Sequence, residues 1–293
     1  GQNVVDLMLP RLQEAEPGVR AAAVACLASH GREDHVAKAR RGLYELITDV
    51  DPDVRLAGAK ALGAIRDPEL QDQIVRLLYD PSPRVVREAI AAIRRRVARD
   101  GYNPVYVPTL ISLLHDRRLK ADAREALVAF GEPVIPALVH FMGAPEEPIW
   151  VRRALPKTIA RIATPEAVGA LIDALDGARD RFLRRKLIEA LGDVRKSPLV
   201  AARGDAIEAA IRHEIVAHFR ALRYLATIGI GGKGTLDGPC VDWTRSGVEP
   251  GLLEKLLAER MEEHLRNVIG LLAVLYPPRD IWGAHRRILR GRP

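Results

Sequence analysis

The chain has 293 residues, of which 48% are hydrophobic, 28% charged and only 4% aromatic. That is the balance of an ordinary folded, soluble protein whose core is built from small aliphatic side chains. The formal charge of +7 is a mild excess, compatible with an anionic partner but no signature of one.

No apolar stretch approaches the roughly 20 residues needed to span a bilayer, Val268–Tyr276 being about as long as any. The two cysteines, Cys26 and Cys240, lie far apart, which argues against a disulfide framework and for a reduced, cytoplasmic setting, with Cys26 expected at a core position. The first residue is Gly1 rather than Met and no secretory pattern follows, so a segment processed from something longer is expected.

In chain order, helices are expected over Val4–Gln13, Val36–Thr48, Glu69–Tyr79, Val107–His115, Val134–Met142 and Glu166–Leu175. Each is followed by a second helix carrying one phrase: a hydrophobic anchor, an apolar or small residue at +4 and an apolar pair at +7/+8. The anchors are Val19, Val54, Val85, Leu119, Val151 and Leu183, separated by 35, 31, 34, 32 and 32 residues. Such a period marks a stacked solenoid, in which each unit buries its apolar face against its neighbours. The turns carry helix-starting chemistry at Asp49–Asp53, Asp80–Pro83 and Asp116, because a short carboxylate can accept from free backbone N–H groups and Pro is tolerated in the first turn.

At about 100° per residue, positions 0, +4, +7, +8 and +11 share one face, which is the expected core. Position +1 is Arg20, Arg55, Val86, Lys120, Arg152 and Arg184. It lies on the flank of that face, where a long side chain can reach an Asp of its own or the adjacent turn, so an Asp–Arg ladder between repeats is preferred over a row of ligand contacts. Beyond Ser197 the pattern changes to a longer helix over Ala206–Thr227, a glycine-rich connector, a helix over Leu252–Leu275 and a last one over Ile281–Leu289.

The stretches Asp51–Gly63 (DPDVRLAGAKALG) and Asp80–Ala89 (DPSPRVVREA) resemble HEAT repeats, a match that runs over roughly residues 14–195. The resemblance implies an all-α fold, a HEAT-repeat α-solenoid forming a right-handed superhelix, over residues 1–196 with about six helix pairs. Residues 197–293 are then a divergent helical C-terminal extension or cap. Val151–Ile162 (VRRALPKTIARI) and Leu265–Asp280 (LRNVIGLLAVLYPPRD) resemble the HEAT segment of large bacterial proteins that join a nucleotide-carrier-like transporter domain to HEAT repeats and a cyclic-nucleotide-binding domain. Neither membrane helices nor a cyclic-nucleotide phosphate cassette is recognisable here, so transport and nucleotide binding attach to no residue of this chain.

Gly229–Gly234 satisfies G-x-G-x-x-G formally, but the phosphate-binding mechanism needs a strand before it and a helix after it. Here a helix precedes it, and a flexible connector is the simpler reading. His213 and His218 imitate a zinc-protease helix with a spacing of five instead of four, which turns the rings about 140° apart. The remaining histidines are read as exposed or locally hydrogen-bonded. No cofactor and no metal site is expected, and Trp150, Trp243 and Trp282 are too scattered to frame a catalytic concavity.

One surface feature stands out. Arg153, Lys157 and Arg161 occupy +2, +6 and +10 of the fifth repeat, away from the core face, with Arg87, Arg95 and Arg185 in related places. These six residues are the candidate interaction surface for an acidic partner, diluted by Glu125, Glu189 and Asp193. The resulting expectation is no enzyme but a non-catalytic protein-protein interaction scaffold or interdomain coupling module, cytoplasmic and possessing protein partners that include other domains of a parent polypeptide. The alternatives are a HEAT-like nucleic-acid-binding protein or DNA-repair glycosylase-like enzyme, and an independent soluble adaptor.

Overall fold

The computed structural model describes residues 2–65, 71–229 and 251–289, and among them every regular element is helical. The chain divides into two compact units, residues 1–154 and 155–293. The first holds α1 (Gln2–Met8), α2 (Pro17–His30), α3 (Glu33–Ile47), α4 (Pro52–Ala64), α5 (Gln71–Leu77), α6 (Pro83–Asp100), α7 (Val107–Ser112), α8 (Lys120–Ala129) and α9 (Ile135–Gly143). The helix α10 (Ile149–Ile162) contains the boundary, beside the internal Pro156.

In the first unit the second helices stack in order, α2 on α4, α4 on α6 and α6 on α8, and each also packs on the first helix of its pair. The reason is the spacing of small and large apolar residues. Ala23, Gly58, Ala89 and Ala123 at +4 and Leu27, Leu62, Ile93 and Leu127 at +8 are all buried. The small residue lets neighbouring helices approach, and each buried leucine contributes about 1.5–3 kcal/mol by leaving water. Gly58 shows how close the approach is: a Cβ there would lie 2.8 Å from Ile47 Cγ2. Carboxylates hold the turns as expected, Asp51 accepting from the Asp53 N–H, Asp80 from the Ser82 N–H and Asp116 from the Arg118 N–H at 2.8, 2.8 and 2.7 Å.

Three local expectations change. The first helix stops at Met8 and resumes as a 3-10 turn over Pro10–Gln13, because Pro10 lacks the N–H a continuous helix would use. The helix expected through His115 ends at Ser112 and tightens into a 3-10 turn over Leu113–His115. Cys26 is half-buried instead of core, although the +7 residues of the other five repeats, Ala61, Ala92, Ala126, Thr158 and Ala190, are buried.

The second unit contains the remainder of α10, α11 (Pro165–Gly177), α12 (Arg181–Asp193), α13 (Pro198–Ala202), α14 (Gly204–Gly229), α15 (Leu252–Leu275) and α16 (Pro278–Leu289). Leu155, Leu187, Ile159 and Leu191 repeat the buried +4 and +8 positions. The dominant packing is α14 on α15, with α15 also lying on α12 and α16 on α15. Gly270 lets α15 and α12 meet, a Cβ there standing 2.8 Å from Ile188 Cγ2. The five-residue α13 was not expected from the sequence. Apart from Gly229, the glycine-rich stretch lies outside the described residues, as do Cys240 and Trp243. No single helix among the described residues is long and apolar enough to cross a membrane.

Candidate functional site

Much of the basic row is spent on the solenoid itself. Arg87 Nε donates to Asp122 Oδ2 at 3.1 Å, and Arg95 Nη2 to Glu88 Oε1 at 2.7 Å. Arg185 lies 3.4 Å from Glu189 Oε1 on the following turn of α12. Arg153 is half-buried, whereas Lys157 and Arg161 are exposed on α10. The six residues therefore do not share one electrostatic character. Further ion pairs join successive repeats in the first unit: Arg84 with Asp53 at 2.9 Å and Arg94 with Glu125 at 3.0 Å.

The +1 residues divide in the same way. Arg55 makes the expected rung, gripping Asp80 of the next turn through Nε at 2.6 Å and Nη2 at 3.0 Å while Nη1 donates to the Asp49 and Val50 carbonyls. Burial pushes the Asp80 carboxyl up, but the Arg55 and Ser82 hydrogen bonds and the Arg55 charge together hold it below the usual range. Elsewhere the ladder changes form: Val86 is buried, and Arg152 Nε donates to the Met142 carbonyl at 3.0 Å.

Arg184 leads to the site that the sequence did not reveal. It is buried in the second unit, where Nε donates to Glu214 Oε1 on α14 and Nη1 donates to the Leu175 carbonyl at 2.6 Å. Glu214 is fully buried, and its Oε2 also takes His264 Nδ1 at 2.6 Å and Asn267 Nδ2 at 3.3 Å from α15. Burial pushes the Glu214 carboxyl up, yet the hydrogen bonds from His264 and Arg184, the Arg184 charge and Asn267 outweigh it, and the group lies below the ordinary range. His264 is thus neither simply exposed nor locally bonded: its partner is fifty residues away. His213 and His218 diverge, the latter donating from Nδ1 to the Met261 carbonyl at 3.0 Å. No cluster of His, Cys, Asp and Glu suited to a metal ion occurs among the described residues.

The Glu214 network forms the inner end of a cavity of about 810 Å³ between α14, α15 and the α11–α12 turn. Five arginines line it, Arg179, Arg181, Arg184, Arg220 and Arg260, against three carboxylates, Asp176, Glu214 and Glu263. Glu214 neutralises Arg184, and Glu263 lies 3.3 Å from Arg181. Arg179, Arg220 and Arg260 are exposed and form no ion pair with a described residue. Tyr224, Leu253, Leu256 and Leu257 supply an apolar wall. The signal in the sequence was Glu214 within the apolar stripe Ile207, Ile211, Ala221 and Leu225, since a charge on a buried face requires a partner. By contrast, half of the lining of the groove between α2 and α4, about 490 Å³, is alanine, and its charged residues are Glu16, Asp53 and Lys60.

Human deoxyhypusine hydroxylase, solved with glycerol, is similar at 18% identity over 92% of this chain and 85% of that one, with a TM-score of 0.27. The karyopherin Kap121p gives 18% identity over 89% of this chain and 27% of that one at a TM-score of 0.39, and importin beta 14% over 97% and 37% at 0.33. The chain thus spans little more than a quarter of the length of Kap121p and little more than a third of that of importin beta. No curated protein matches the sequence. The HEAT-repeat profile matches residues 5–94 and 107–192, more than half of the chain and over the same helix pairs that carry the buried +4 and +8 positions, and the chain belongs to the HEAT-repeat family.

Proposed function

We propose that the chain is a non-catalytic protein-interaction scaffold. The observation that carries this reading is the state of Glu214. It is the fully buried carboxylate of the cavity, and it already holds an arginine, a histidine and an asparagine. A carboxylate so occupied and kept below its ordinary range is a poor general base, and its role is to fix α12, α14 and α15 around the cavity. The chemistry left for a partner is exposed arginine beside half-exposed leucine and tyrosine, which suits recognition.

The finer reading is a cytoplasmic coupling module within a larger bacterial transporter-like protein. It rests on the resemblance of Val151–Ile162 and Leu265–Asp280, with exposed Lys157 and Arg161 as docking charges. Capture of purified transporter-like and cyclic-nucleotide-binding segments by the immobilised chain tests it. Retention that falls with salt and is lost in Arg153→Glu/Lys157→Glu/Arg161→Glu supports the module, because exposed charge pairs are screened over about 8 Å at physiological ionic strength. Equal retention by a folded triple variant removes the docking role from that row, and absence of any retained segment removes the coupling reading.

A further inference from the structure

The cavity of the second unit carries chemistry that the repeat architecture does not use. Its inner end is closed by the saturated Glu214 network, and the rest of its lining carries two unlike sets of side chains. One is cationic: Arg179 from the α11–α12 turn, Arg220 from α14 and Arg260 from α15, all exposed and in no ion pair with a described residue. The other is apolar: Leu253 and Leu256, each about half exposed, with Tyr224 facing the same space. Ala217 and Ala221 leave room on the α14 side. A small residue at each of two successive turns makes a floor that accepts branched aliphatic side chains.

The dimensions favour a secondary-structure element over a small ion. The lining of α14 runs from His213 to Tyr224, a span of about 16 Å at 1.5 Å per residue. On α14 Arg220 lies one turn before Tyr224, and on α15 Leu256 lies one turn before Arg260, so the lining offers cationic and apolar contacts side by side along the helices, which match an amphipathic helix laid into a groove. Such a helix would place leucines or similar residues against Tyr224, Leu253 and Leu256 and carboxylates against the arginines. Anionic residues are required because the lining has two more arginines than carboxylates.

We propose that this cavity docks an acidic amphipathic helical segment of a partner protein. The proposal rests on the scaffold reading, to which it adds the address and the chemistry of recognition. Apolar burial supplies the affinity and the three arginines supply orientation and charge selectivity. Glu214 does not touch the ligand. It positions the groove by tying Arg184, His264 and Asn267 together.

The test uses the full chain and a fluorescein-labelled peptide of about 14 residues, with leucines at i, i+3, i+4 and i+7 and glutamates on both flanks. Controls are a peptide with lysine for glutamate, a sequence-scrambled acidic peptide, and phosphatidylcholine/phosphatidylserine vesicles. Saturable anisotropy with the acidic helix is expected, weakened at least tenfold in Arg220→Glu/Arg260→Glu and several-fold by raised salt. Arg87→Glu, outside the second unit, should leave it unchanged. Equal binding of the lysine or scrambled peptide, preference for the vesicles, or binding indifferent to the double reversal would overturn the proposal. Circular dichroism keeps the double variant interpretable, and Arg220→Gln/Arg260→Gln serves if the reversal unfolds. If a native partner is still captured by a chain that fails these peptide tests, the inference falls while the scaffold reading stands; if no protein partner is captured at all, the scaffold reading falls too.

Discussion

Removing Glu214 is the sharpest perturbation of the second unit. In Glu214→Ala, Arg184 stays buried with its side chain only 10% exposed, and His264 and Asn267 lose a shared acceptor. Breaking a buried ion pair from one side costs about 3–5 kcal/mol, because the surviving charge remains desolvated. Glu214→Gln keeps an acceptor for Arg184 but removes the charge, and about 1–3 kcal/mol is expected. Arg184→Met/Glu214→Leu removes both charges together, so its cost should fall short of the sum of the single variants by about 2 kcal/mol or more. Urea unfolding followed by circular dichroism measures the total. At a slope of about 3 kcal/mol per molar, a loss of 3–5 kcal/mol shifts the midpoint by about 1–1.7 M. Because repeats contact chiefly their neighbours, amide hydrogen exchange should place the loss in α12, α14 and α15 and leave α2–α8 unchanged. A cost below about 1 kcal/mol for Glu214→Ala, or strict additivity of the pair, would refute the reasoning.

Leu62→Ala and Leu127→Ala remove fully buried +8 side chains and should each cost about 2–5 kcal/mol, whereas Lys157→Ala should stay within about 0.5 kcal/mol. Denaturant midpoints read this directly, and equal losses at all three positions would reject the register. Gly58→Ala gains about 1 kcal/mol of helix propensity but drives a Cβ to 2.8 Å from Ile47, so thermal melts should show net destabilisation of up to about 2 kcal/mol. Glu214 and Asp80 titrate below their unfolded values in the folded chain. Their contribution is present above the unfolded carboxyl range near pH 4, and it is lost as pH falls through the lower folded values. Unfolding free energy measured from about pH 6 downward should therefore drop, and Glu214→Gln should flatten part of that slope.

The solenoid was legible because its information is local. Every +4 and +8 residue named from the spacing is buried, and the helix Leu252–Leu275 has the ends that the apolar pattern implied. Pro10 and the 3-10 turn after Ser112 were harder to place because helix ends depend on which carbonyls find partners. The cavity was not legible for a different reason. Glu214 meets Arg184 thirty residues before it and His264 fifty after it, so the network exists only once α12, α14 and α15 are packed. Attention to exposed basic residues led to Arg87 and Arg95, whose charges the repeats themselves pair. The arginines in no ion pair with a described residue, Arg179, Arg220 and Arg260, belong to three elements, and their separations of 41 and 40 residues are longer than the repeat that guided the reading.

Recognition through the arginine-lined cavity is tested most directly by photo-crosslinking in cells, with benzoylphenylalanine at Leu256 inside the cavity and, as a control, at the almost fully exposed Val50 of the first unit. A discrete protein adduct is expected from Leu256 alone, disappearing when Arg220→Glu/Arg260→Glu is introduced into the same chain. The same adduct from Val50, or one at Leu256 that survives the double reversal in a folded chain, would contradict recognition at this site.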